Sequence, residues 1–142
     1  MRQLVWLRND LRALDNSALY HAMQQGPTLA LYVVSPAQWK LHDDAPIKLD
    51  YRLRNLQTLS DSLQQLNVPL MVIKCDLWQE LPLQLPDFCR QWGISQLHMN
   101  AEYGLNEQQR DHQCRAQLEA AGIAVHSHGD TSLLPPGSLR TQ

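Results

Sequence analysis

Short runs rich in Leu and Val alternate along this chain with longer segments of helical period, and few architectures accept that alternation. The runs at 3–7, 28–34, 69–74, 95–99 and 123–127 read as five strands. Between them the period changes to 3.6. After Pro46, Leu49, Leu53, Leu56, Leu59, Leu63 and Leu66 recur at spacings of three and four, which leaves Lys48, Asp50, Arg52, Asp61 and Gln64 for the outer side. That pattern predicts a helix packed on a sheet. Strands joined by crossover helices pair in parallel, and right-handed crossovers on both faces predict a doubly wound five-stranded α/β sheet of order 3-2-1-4-5. Ligands of such sheets enter beyond the carboxyl ends of the strands, where the winding reverses between strands 1 and 4. The loops at 8–14 and 100–106 are expected to meet there.

Local chemistry marks the helix ends. Asp15 is placed to cap a helix beginning at Asn16, Pro46 suits a first turn, and Asn106 with Gln109 resembles a capping box. Pro82 and Pro86 predict a broken or short helix between Asp76 and Trp92, chiefly over 86–92. A length of 142 residues suits one domain, and 44% hydrophobic with 18% charged residues is the balance of an ordinary globular chain. A net charge of −2 lacks the basic footprint of a phosphate-gripping surface. The opening MRQLVWLRNDLR has no apolar run with a cleavage site, and no stretch is long enough to span a bilayer, so a cytoplasmic location is expected. Cys75, Cys89 and Cys114, spaced 14 and 25 apart, fit neither a disulfide framework nor paired metal ligands. Reduced core thiols are expected.

The topology is Rossmann-like, but the loop after strand 1, RNDLRALDN, contains no glycine. Its backbone cannot approach a pyrophosphate as a dinucleotide fingerprint does. The six glycines form no GxGxxG or GxxxxGK[ST] pattern, so kinase or ATPase chemistry has no support. Arg8, Asp10, Arg12 and Asp15 either face a ligand or pair among themselves and cap the following helix. His126 and His128, two apart on a strand, share a face, but a metal site needs a third ligand and none is apparent. His42 sits in the long segment 35–46 and reads on its own as a solvated loop histidine. Asn106 and Glu107 have a plain reading as cap and first-turn acid, and a functional one because they fall at the expected crevice. No nucleophile–base–acid set is visible, so no catalytic residue is assigned.

LVWLRNDLRALDNSAL at 4–19 closely resembles the opening signature of the photolyase/cryptochrome family. LYVVSPAQW at 31–39, NAEYGLNEQQRD at 100–111 and LLPPGSLRT at 133–141 follow in the order found in bacterial class I photolyases acting on cyclobutane pyrimidine dimers. The resemblance covers essentially the whole chain but only the front third of the family's length. It implies that 1–142 is the α/β antenna domain and that the helical FAD domain, with its groove for damaged DNA, is absent. Leu7 departs from the family's usual aromatic, a change of packing.

By motif, the resemblance carries over His42, Asn106 and Glu107 as ligands of methenyltetrahydrofolate in the cleft between the two domains. A pterin offers adjacent N–H donors that a carboxylate can accept in pairs, while an amide both donates and accepts. The family implies that this antenna passes excitation to reduced FAD, which splits the dimer, a carbon–carbon lyase reaction in DNA repair. The implied protein is a monomer with no membrane partner. A cryptochrome photoreceptor shares the domain and is the alternative. An unrelated nucleotide-binding or electron-transfer domain would need the phosphate loop that this chain lacks.

Overall fold

The computed structural model describes residues 1–8, 10–37 and 46–129, with the backbone alone over 46–53. Five strands are present: β1 Arg2–Leu7, β2 Thr28–Val34, β3 Leu70–Lys74, β4 Ile94–Asn100 and β5 Ala124–His128. All pair in parallel, in the order β3-β2-β1-β4-β5. Each strand end lies within a residue of the sequence expectation. The helices are α1 Ser17–Gln25, α2 Pro46–Gln65, α3 Leu81–Gln91 and α4 Leu105–Ala120. None among the described residues is long and apolar enough to cross a membrane.

Two apolar layers explain the winding. Alternate residues of a strand face opposite sides, so Leu4 and Trp6 of β1 join Leu31, Leu97 and Met99 beneath α3 and α4. Val5 and Leu7 point the other way, into Ala18, Leu19 and Ala22 of α1 and Leu59 and Leu63 of α2. On α2, Asp61 and Gln64 are exposed as the pattern predicts, Leu56 is half-buried, and Leu66 is exposed beyond the last turn. The side chains of Lys48, Leu49, Asp50, Arg52 and Leu53 lie outside the described residues.

Three local expectations are corrected. The cap of α1 is Asn16, whose side chain accepts from the Leu19 N–H at 3.1 Å; Asp15 precedes it with a φ of 50° and makes the turn instead. The cap of α4 is Gly104 in extended conformation, with no side-chain cap bond. Its carbonyl already accepts from Gln108 N–H at 2.9 Å, so the helix starts two residues early and Asn106 and Gln109 form no capping box. Finally, α3 runs unbroken through both prolines after a 3-10 turn at Trp78–Glu80. Pro82 sits in the first turn, where its missing N–H has no partner to lose, and burial of Leu81, Leu85, Phe88 and Cys89 carries the helix past Pro86.

All three cysteines are free and buried. Burial pushes the Cys75 thiol up to about 11 and those of Cys89 and Cys114 to about 12, which keeps them protonated core residues.

Candidate functional site

Beyond the carboxyl ends of β1 and β4 the two loops meet through side chains. Asn100, which ends β4, donates from Nδ2 to Asp10 Oδ2 at 2.6 Å and to Asn16 Oδ1 at 2.7 Å. Its Oδ1 accepts from the Ala18 N–H at 2.9 Å. One buried amide thereby joins the loop after β1, the start of α1 and the end of β4. Arg8 extends the network to α4: its N–H donates to Asp10 Oδ1 at 2.8 Å, its Nη1 to Asp111 Oδ1 at 2.7 Å, and its Nη2 to the Asn100 carbonyl. Arg12 and Asp15 remain exposed, with Arg12 Nε donating to the Asp15 carbonyl at 3.1 Å.

The second half of the network is aromatic and cationic. Arg110 donates to Asp111 at 3.0 Å and to Glu102 at 2.6 Å. The guanidiniums of Arg8 and Arg110 lie 4.6 and 5.3 Å from the centre of the Trp6 ring, and Arg110 also lies 4.4 Å from that of Trp78. Among the described residues the buried Arg8 Nε has no hydrogen-bond acceptor, and its guanidinium rests on the indole face. Burial disfavours the charge on Arg110, but Asp111 and Glu102 outweigh it and hold the guanidinium firmly protonated. Burial pushes Asp10 above the usual carboxylate range, against the donor bonds from Arg8 and Asn100.

This network fixes the second turn of α4 and so aims the first. Asn106 is exposed there, and Glu107 is half-buried, its carboxylate folded back so that a Cβ added to Gly104 would collide with it. The helix dipole favours that placement of an acid. Leu105, 81% exposed, and Tyr103 flank the pair. The first turn can therefore accept N–H donors at Glu107, donate and accept at Asn106, and cover a flat ring with apolar surface. His42 lies outside the described residues, so two of the three sequence-predicted ligands are placed, adjacent on the rim of the crevice.

Sequence reasoning missed Glu102, Arg110, Asp111 and the role of Asn100. A signal for Arg110 existed: Arg110, Cys114 and Leu118 recur every fourth residue as the buried stripe of α4. His98 and His21 were missed as well, and they join His126 and His128 in one stack. Among the described residues no three His, Cys, Asp or Glu side chains are grouped to hold a metal ion.

The geometry defines a class: a doubly wound α/β domain whose switch point is closed by a polar network and whose rim presents hydrogen-bond acceptors. The family model described as DNA photolyase matches residues 3–142. The chain is 38% identical to the deoxyribodipyrimidine photo-lyase of Vibrio cholerae over 141 residues, 99% of this chain and 30% of that protein. It is 34% identical to the deoxyribodipyrimidine photo-lyase of Salmonella typhimurium, over 97% of this chain and 29% of that one. The crystal structure of an archaeal photolyase from Sulfolobus tokodaii has the same fold, with a TM-score of 0.75 at 21% identity over 90% of this chain and 29% of that one. The chain belongs to the DNA photolyase family. It spans about 30% of the length of these curated relatives.

Proposed function

We propose that this chain is the light-harvesting domain of a deoxyribodipyrimidine photo-lyase and that Glu107 and Asn106, with His42, hold methenyltetrahydrofolate. The observation that carries this reading is the placement of Glu107 and Asn106 on the exposed first turn of α4, beside Tyr103 and Leu105, in a chain of this family. The donor set suits the ligand. A pterin edge presents adjacent N–H groups that the Glu107 carboxylate accepts in charge-assisted bonds, and the Asn106 amide serves a mixed edge beside it. When bound, the folate absorbs near-ultraviolet or blue light and passes excitation to reduced FAD in a separate helical domain that also grips damaged DNA. The residues described here orient the folate and hold its distance; none of them is catalytic. The complete protein then acts as a monomeric cytoplasmic carbon–carbon lyase on cyclobutane pyrimidine dimers.

The test is a titration of methenyltetrahydrofolate, read by near-ultraviolet absorbance, into the chain alone and into the chain joined to the remainder of the Vibrio cholerae relative. The chain alone should bind at least about tenfold more weakly, because tight small-molecule sites bury most of the ligand. In the joined protein Glu107→Ala should lose about one to two decades of affinity, the cost of leaving donors unpaired. Equal affinity for variant and parent, with folding intact, would make Glu107 a helix residue only. Illumination of the joined protein with thymine-dimer DNA separates a repair enzyme from a cryptochrome, which would bind light without restoring the bases.

A further inference from the structure

On the flank of α4, past its first turn, a cavity of about 250 Å³ opens between the helix and the ends of β4 and β5, walled by Tyr103, Gln108, His112, Arg115 and Ser127. Sites that enclose a whole drug-sized ligand run to roughly 300–1,000 Å³, so this one suits the end of a molecule that is also held elsewhere. Tyr103 belongs to both places. It flanks Asn106 and Glu107 on the rim, and its ring lines the cavity.

Helix geometry sets the order of groups. Positions 107, 111 and 115 are four apart and share a face, with 108 and 112 beside them. At 1.5 Å per residue, Arg115 stands about 12 Å along the axis from Glu107. Between the two, Asp111 is held by Arg8 and Arg110, and Glu102 by Arg110 at 2.6 Å. The acids on the inner wall are therefore matched by guanidiniums already in place. Arg115 differs from those two arginines. It is half-buried, its Nη2 donates to the Val125 carbonyl at 3.3 Å, and among the described residues no carboxylate pairs with it. A guanidinium has five N–H groups, so one backbone bond leaves donors for a ligand.

We propose that this cavity is an anion subsite for the glutamate tail of the folate, with Arg115 as the group that recognises the tail carboxylate. The proposal rests on the folate reading of the rim. A folate is a pterin joined through a p-aminobenzoyl spacer to glutamate, so one end is a flat hydrogen-bonding ring and the other a dicarboxylate. The helix presents complementary groups in the same order: an acid for the pterin N–H groups at Glu107, and a guanidinium for the tail at Arg115. The reverse orientation would set the tail against Glu107, like charge against like. Tyr103, common to rim and cavity, offers an aromatic wall to the p-aminobenzoyl ring. Arg115 takes the α-carboxylate, which folates keep when further glutamates are joined through the γ-carboxyl. The exposed Gln108 and His112 offer N–H donors to the second carboxylate.

The experiment is a titration of the joined protein, read by near-ultraviolet absorbance, with two probes. One is methenyltetrahydrofolate; the other is methenyltetrahydropteroyl amide, in which a neutral amide replaces the glutamate. The parent should bind the folate about tenfold more tightly, the value of one charge-assisted bond in a partly exposed site. Arg115→Gln should bring the two affinities within about twofold, while Arg115→Lys, which keeps the charge and loses the fork, should hold a preference of about threefold. Damage to the fold would weaken both probes together, so the ratio is the readout. Folate bound with no preference for the tail, or a preference that survives Arg115→Gln undiminished, overturns the subsite and leaves the rim reading standing. Binding of neither probe overturns the rim reading and the subsite with it.

Discussion

Asp111 and Glu107 are acids one turn apart on the same face of α4, and their surroundings differ in almost every respect. Asp111 is half-buried and held between two guanidiniums, at 2.7 Å from Arg8 and 3.0 Å from Arg110. Glu107, at the rim, folds over Gly104 and keeps an open side. Charge and helix face are shared, so neither decides the role. What decides it is whether the carboxylate is already consumed by the fold. The interior of the crevice is a network of paired donors and acceptors that sets geometry, and the rim keeps an acid with an open side.

The largest way to break this contrast is Arg8→Ala. Removing one member of a buried ion pair costs several kcal/mol because the remaining charge is stranded. Asp111 keeps Arg110, so a loss of about 3 kcal/mol in urea unfolding is expected, the low end of that range. A loss below about 1 kcal/mol would mean that the interior is as dispensable as a surface pair. Asn16→Ala comes next. It removes the cap bond to Leu19 N–H and the acceptor for Asn100, for a loss of about 2 kcal/mol by the same measurement. A value below about 0.5 kcal/mol would assign the cap elsewhere.

The interior was the part least visible in the sequence. The strands were legible because both faces of the central ones are buried, which makes β1 and β2 near-continuous apolar runs, while β4 keeps Ile94, Leu97 and Met99 for its core contacts. The order of the sheet followed from the handedness of crossovers. By contrast, Arg8 and Asp111 are 103 residues apart, and no periodicity links a charge at the end of a strand to one in a distant helix. Arg110 stands in line with Cys114 and Leu118 in a core stripe, a signal that a search for apolar residues alone passes over. The histidine stack needed strand register as well as sequence, since His98 and His126 meet only once β4 and β5 are paired. At the rim the reverse held: the GLNE segment marked Asn106 and Glu107 by resemblance, while the capping box suggested beside them was displaced by Gly104. His42 lies outside the described residues.

The smallest expected effect sharpens the contrast most finely. Asn106 carries two readings that earlier coincided, helix cap and ligand group, and the geometry separates them because the cap position belongs to Gly104. With its side chain exposed and no cap bond to lose, Asn106→Ala should change stability by no more than about 0.5 kcal/mol in urea unfolding. Ala is also the better helix former at a helical position, which works against any loss. Affinity for methenyltetrahydrofolate in the joined protein should fall all the same, by less than for Glu107→Ala, because a neutral amide makes weaker bonds than a carboxylate. A stability loss near 1 kcal/mol, the usual value of an N-cap, with unchanged folate binding would return Asn106 to the fold and leave Glu107 as the one pterin ligand on α4.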